Sequence, residues 1–178
     1  MKYVALLRGV NVGGKSMVKM TEIKKVLEKE EFSKVSTYIN SGNILFESEK
    51  KNSELTKEIE KILKDNFFEI GTVVLSDDDL KDVLQQVPQS WKQDDVRKYI
   101  GFLKDSIRAE DVIQVAELKE GIDFIDKGPH VVYMTTKMEG LTKSSFPKLI
   151  SKPIYKQITI RNVNTAQKLL TLLEKNDE

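Results

Sequence analysis

Lys2-Tyr3-Val4-Ala5-Leu6-Leu7-Arg8 is a compact apolar run between two cations, and Lys98-Tyr99-Ile100-Gly101-Phe102-Leu103-Lys104 matches it in character at every position. Each reads as a buried strand. A match this far apart points to duplication of a whole supersecondary unit. After the first copy, Met20, Ile23, Val26 and Leu27 share a helical face, with Thr21 and Glu22 near its start. Strand-like residues 35–40 and 43–47 flank Ser41-Gly42, a two-residue hairpin signal. Leu55, Ile59, Ile62, Leu63 and Phe67 recur at helical spacing over 53–67, with Ser53 as the expected cap. The β-branched run 72–75 is a further strand, so the order is β-α-β-β-α-β.

A connecting helix and linker follow before the second copy repeats the order from strand 99–103. Residues 76–87 form a helix with Leu80, Val83, Leu84 and Val87 inward. Pro88 and the polar run to Asp95 make a linker, which Trp91 is expected to seal against a core. Strand 99–103 precedes a helix over 108–118 carrying Val112, Val115 and Leu118. Strands 122–125 and 131–135 pair around Lys127-Gly128-Pro129. A short helix over 142–151 is interrupted at Pro147, and 158–160 is the last strand. Residues 163–173 form an amphipathic helix capped by Asn162 or Asn164. The expected fold is α+β: two split βαβ units, each a four-stranded antiparallel sheet with helices on one face. The expected boundaries are 1–76 for the first unit, 77–96 for a helix and linker, and 97–178 for the second unit with the C-terminal helix.

The bulk numbers agree with a packed chain. A length of 178 residues buries roughly 70% of the unfolded surface on folding. Twenty-nine Lys and Arg against 28 Asp and Glu leave a net charge of +1. That counts against a dedicated nucleic-acid or membrane binder, which would be clearly basic. The absence of Cys excludes disulfides and thiolate metal sites. The single His130 excludes a metal site built on two imidazoles. No metal or cofactor is expected. The first apolar run ends at Arg8, too short for a signal-peptide core, so the cytoplasm is the expected location.

Three stretches resemble the bacterial DUF1697 family: Leu7-Arg8-Gly9-Val10-Asn11-Val12-Gly13-Gly14-Lys15 with Val18-Lys19-Met20, then Tyr38-Ile39-Asn40-Ser41-Gly42-Asn43, and Ile158-Thr159-Ile160-Arg161-Asn162 near the C-terminus. The resemblance implies tandem ferredoxin-like subdomains. It implies no activity. Where family members often carry Trp after the C-terminal Arg-Asn, this chain has Val163.

Gly9-Val10-Asn11-Val12-Gly13-Gly14-Lys15-Ser16 fits the phosphate-loop pattern G-x-x-x-x-G-K-[ST] and follows a strand. The surrounding sequence opposes a nucleotide hydrolase. The next helical face starts near Met20, not at Lys15-Ser16, and no strand ends in a lone metal-binding Asp. The plain alternative is that the glycines only turn the chain. Between the two lies a loop of exposed amides that binds an anion without hydrolysis. Topology favours this middle reading. The first two strands of a split βαβ unit run parallel, so their C-terminal ends share one rim. The expected ligand-binding residues are therefore Arg8, Asn11, Gly13, Gly14, Lys15, Asn40, Ser41 and Asn43, with Arg161 and Asn162 as a further anion-binding pair. Asn and Ser also favour turns for their own sake.

Asp77-Asp78-Asp79 reads as the acidic opening of a helix rather than a metal site. No nucleophile–base pair or paired-carboxylate arrangement stands out. The alternatives to a small anionic ligand are RNA on an open sheet face, needing exposed Tyr3, Tyr38, Phe46 and Tyr99, or a protein-interaction module. Nucleic acid is the less favoured partner on charge. The chain is expected to be a monomer or a homodimer.

Overall fold

The computed structural model describes residues 1–175. The first half runs β1 (Lys2–Leu7), α1 (Met20–Lys29), β2 (Ser33–Tyr38), β3 (Asn43–Glu47), α2 (Asn52–Asn66), β4 (Thr72–Ser76) and α3 (Asp77–Gln85). The second runs β5 (Val96–Leu103), α4 (Ala109–Val115), β6 (Asp123–Gly128), β7 (Val131–Lys137), α5 (Phe146–Leu149), β8 (Ile158–Asn162) and α6 (Val163–Lys175). The sheets have the orders β2-β3-β1-β4 and β6-β7-β5-β8, with every neighbour antiparallel. These are tandem ferredoxin-like subdomains. The chain groups into two compact units, Met1–Lys81 with the segment from Gln167 onward, and Asp82–Ala166. No helix among the described residues is long and apolar enough to cross a membrane.

In the first unit, Tyr3, Ala5 and Leu7 of β1 join Ile44, Phe46 and Val74 on one side of the sheet. Ile23 and Leu27 of α1, with Leu55, Ile59 and Leu63 of α2, complete that core. Each such aliphatic side chain contributes about 1.5–3 kcal/mol by leaving water. Tyr3 stacks on Phe46 at 5.7 Å, and Phe32 meets Phe46 edge-on at 5.2 Å. Val4 and Leu6, of opposite parity on β1, are buried too, as are Leu45, Val73 and Leu75. Tyr3 and Phe46 are core residues and are closed to RNA stacking, whereas Tyr38 and Tyr99 are half-buried. The exposed edge strand β2 carries a register irregularity between Ser33 and Ser36 and a positive φ at Lys34. Both blunt it against pairing with another sheet.

The second core is built from Leu103, Val112, Val132, Met134, Leu149 and Ile158, with Tyr99 packed against it. Trp91 is buried and meets Tyr133 edge-on at 5.3 Å. The Tyr133 hydroxyl donates to the Val83 carbonyl at 2.6 Å, and burial pushes its pKa up to about 12. A buried carboxylate organises the same unit. Asp123, 4% exposed, accepts hydrogen bonds from the hydroxyls of Thr136 (2.9 Å), Ser144 (2.7 Å) and Ser145 (2.9 Å) and from the Ser145 N–H (2.7 Å). Burial pushes its carboxyl up, but those donors outweigh the effect, and its pKa lies below the ordinary 3.8.

Local expectations shift at element ends. The N-cap of α2 is Lys51, not Ser53, and Glu54 reaches back to the Lys51 N–H at 3.4 Å. Helix α4 stops at Val115, leaving Leu118 exposed, and α3 stops before the exposed Val87. Pro147 lies in the first turn of α5, where its missing N–H costs nothing, so it does not interrupt a helix. Asn162 caps α6, its Oδ1 accepting the Asn164 N–H at 2.7 Å.

Candidate functional site

The strand order brings the ends of β1 and β2 and the start of β4 to one rim of the first unit. The Leu7 N–H donates to the Gly42 carbonyl and the Arg8 N–H to the Gly71 carbonyl, both at 2.8 Å. Gly42 has φ +89, and a Cβ there would lie 2.6 Å from Val10 Cγ2 and 2.7 Å from Leu7 Cβ. Only glycine fits, so the hairpin turn is pressed directly against the base of the glycine-rich loop.

That loop is a miniature hairpin. The Asn11 N–H donates to the Ser16 carbonyl and the Lys15 N–H to the Val12 carbonyl, each at 3.1 Å. Val12 and Lys15 form an antiparallel bridge, and Gly13 (φ +59) and Gly14 (φ +72) make the turn between them. Two central residues at positive φ are the signature of a tight hairpin turn, not of a phosphate loop feeding a helix. Helix α1 starts only at Met20, after Lys19. The nucleotide-hydrolase reading therefore fails on geometry. The N–H groups of Gly13 and Gly14 make no hydrogen bond among the described residues, and both glycines are exposed beside exposed Lys15.

Asn11 joins the two bends. Its Nδ2 donates to the carbonyls of Val18 and Asn40, both at 2.9 Å, and its Oδ1 accepts the Val18 N–H at 2.8 Å. Asn43 is fully buried, its Nδ2 donating to the Tyr38 carbonyl (2.9 Å) and the Ser41 hydroxyl (3.1 Å), so it closes the hairpin from within. Asn40 is exposed at the surface of the same turn. The Arg8 side chain lies over Gly71, where a Cβ would come within 3.1 Å of its Nε. The Glu60 carboxylate occupies this rim as well, accepting the Thr72 N–H at 2.8 Å opposite Leu7.

Eight of the ten expected residues thus share one rim. Arg8, Lys15, Asn40 and the two turn glycines face outward at least in part, whereas Asn11, Ser41 and Asn43 hold the rim together. Arg161 and Asn162 belong to the second unit. Arg161 is only 8% exposed, donates from Nη1 to the Ile160 carbonyl at 2.9 Å, and is pulled down to about 10 by burial. It is a packed residue of β8, with little of its side chain open to solvent.

Two features of the rim had little sequence signal. Gly9, Asn11, Gly13, Gly14, Ser16, Ile39 and Gly42 all have positive φ. Ile39, at φ +51, is a β-branched residue in a region such side chains avoid, which costs about 1–3 kcal/mol. Three large apolar side chains also face solvent here: Val12 (62% exposed), Met17 (65%) and Ile39 (50%). Glu60 and Gly71 join the rim without a sequence motif that marks them. A lone glycine before a strand is the one available hint of the close approach at Gly71.

A family model described as a protein of unknown function (DUF1697) matches residues 1–133. Among solved structures, the conserved bacterial protein SP0830 from Streptococcus pneumoniae is similar at 32% identity. That match has a TM-score of 0.84 and covers 97% of this chain and 98% of the other. No protein with a curated description matches the chain.

Proposed function

The chain belongs to the DUF1697 family, and from that premise we propose that its first unit binds a small anionic, phosphate-bearing ligand at the rim where the two bends meet. One observation carries the reading: the Asn11 clamp fixes a tight hairpin whose tip presents the Gly13 and Gly14 N–H groups beside Lys15. Oriented amides next to a cation are a general solution for holding an anion. Arg8 adds a second positive charge at the loop's base, and exposed Val12, Met17 and Ile39 offer an apolar surface to the rest of the ligand. The strain at Ile39 fits a segment shaped for binding rather than for stability. The proposal includes action in the cytoplasm, where phosphorylated metabolites are abundant. It assigns no reaction.

The test is a thermal-shift screen of inorganic phosphate, pyrophosphate, nucleotides and sugar phosphates, repeated on Lys15→Ala. A ligand that raises the melting point of the wild type and fails to raise that of the variant supports the site. No shift across the panel, or equal shifts in both proteins, rejects it.

The exposed Val12, Met17 and Ile39 favour a second reading, in which the rim docks another protein or a second copy of the chain. Light scattering over a range of concentrations separates the two. A mass that rises in the wild type and not in Met17→Ser supports docking.

A further inference from the structure

The second unit has a rim equivalent to the first, and there the chain does something different. Leu103 N–H donates to the His130 carbonyl at 3.1 Å, as Leu7 does to Gly42. Lys104 N–H donates to the Gln157 carbonyl at 3.0 Å, as Arg8 does to Gly71. Residues 8–19 separate β1 from α1, but only residues 104–108 separate β5 from α4. In the first unit Val10, from the long loop, packs so tightly over Gly42 that no side chain fits there. The shorter loop of the second unit leaves room at that position, which is occupied by His130 with φ +55.

The result is a cavity of about 450 Å³ lined by Leu103, Ile107, Ala109, Arg108, Lys127 and His130, together with Asp105 and Glu110. We propose that this cavity is a second ligand site, distinct from the glycine-loop rim, that takes a small aryl or alkyl carboxylate. Leu103, Ile107 and Ala109, which pack into the second core, supply its apolar lining, and one ring or a short chain suits such a surface. Arg108 supplies the planar fork that carboxylates match. Its contact with Asp111 is long, at 3.7 Å, and largely exposed, so exchange for a ligand carboxylate costs little. Lys127 already holds Glu110 at 3.2 Å, which leaves Arg108 as the anchoring cation. The larger hollow at the other end of the first sheet, about 570 Å³, lacks such a floor, and its Lys50 and Glu58 are paired at 2.7 Å.

The lone histidine makes the test direct, because its ring protons need no assignment. Benzoate is titrated into the protein while the His130 ring resonance is followed by NMR, with benzamide and inorganic phosphate as controls. A saturable shift with benzoate alone is expected. Arg108→Ala weakens it by about tenfold and Arg108→Lys recovers part of the loss. Lys15→Ala leaves it unchanged, which separates this site from the first-unit rim. No shift with benzoate, an equal response to benzamide, a response to phosphate alone, or full affinity in Arg108→Ala overturns the proposal.

Discussion

The two rims are built on one plan and finished in two ways. Both pair the end of the first strand with the hairpin turn and with the residue that precedes the fourth strand, through matching N–H donors at Leu7 and Leu103 and at Arg8 and Lys104. The first unit then spends twelve residues on a strained, glycine-rich loop that presses onto the turn. The second spends five and leaves a cavity. The lesson is that the sheet carries the fold while the loop after the first strand decides the shape of the rim.

The sharpest break in the comparison is at the turn. Gly42→Ala forces a Cβ into Val10 and Leu7 at a positive φ, and about 3 kcal/mol of stability is expected to be lost in urea unfolding. The equivalent His130→Ala shortens an exposed side chain and costs under about 1 kcal/mol. Equal losses at both positions would erase the distinction between a filled and an open rim.

The next effect separates the units by acid. The β6 strand begins at buried Asp123, whereas β2 begins at exposed Ser33. The Asp123 pKa is lowered in the folded state, so its contribution is complete above the ordinary 3.8 and is lost as pH falls through the lower folded value. Acid therefore loosens the second unit through this group, as read by fluorescence of Trp91, the sole tryptophan. Asp123→Asn costs about 2 kcal/mol at neutral pH and removes this part of the acid response.

A smaller loss is expected for Asn11→Ala, about 1.5 kcal/mol, because three hydrogen bonds at a half-buried site are replaced partly by water. Faster hydrogen exchange at the Val18 amide checks it. Lys15→Ala changes stability least, by under about 0.5 kcal/mol, since the side chain is exposed. Under the proposed function its effect is on anion binding, not on the fold.

Much of this was legible because it rests on pattern. The paired runs at Lys2 and Lys98, the helical spacing from Met20 and Leu55, and the Ser41-Gly42 turn each follow from periodicity or local turn chemistry. The convergence of the two bends followed from strand order. What stayed hidden depends on burial and long-range partners. Asn43 and Arg161 look like surface polar residues in the sequence, but packing consumes both. Tyr3 and Phe46 looked free for stacking because alternation cannot tell which side is covered when residues of both parities are apolar. Ser53 has the side-chain chemistry of a cap, but the chain turns into α2 two residues earlier, at Lys51.

The central question is whether the tip of the glycine-rich hairpin holds an anion. The most direct measurement is an amide NMR titration of the wild type with inorganic pyrophosphate, following Gly13, Gly14 and Lys15. Saturable shifts centred on those three amides, and their loss in Lys15→Ala, are the expected result. Unmoved glycine amides, or shifts that survive in the variant, would contradict it.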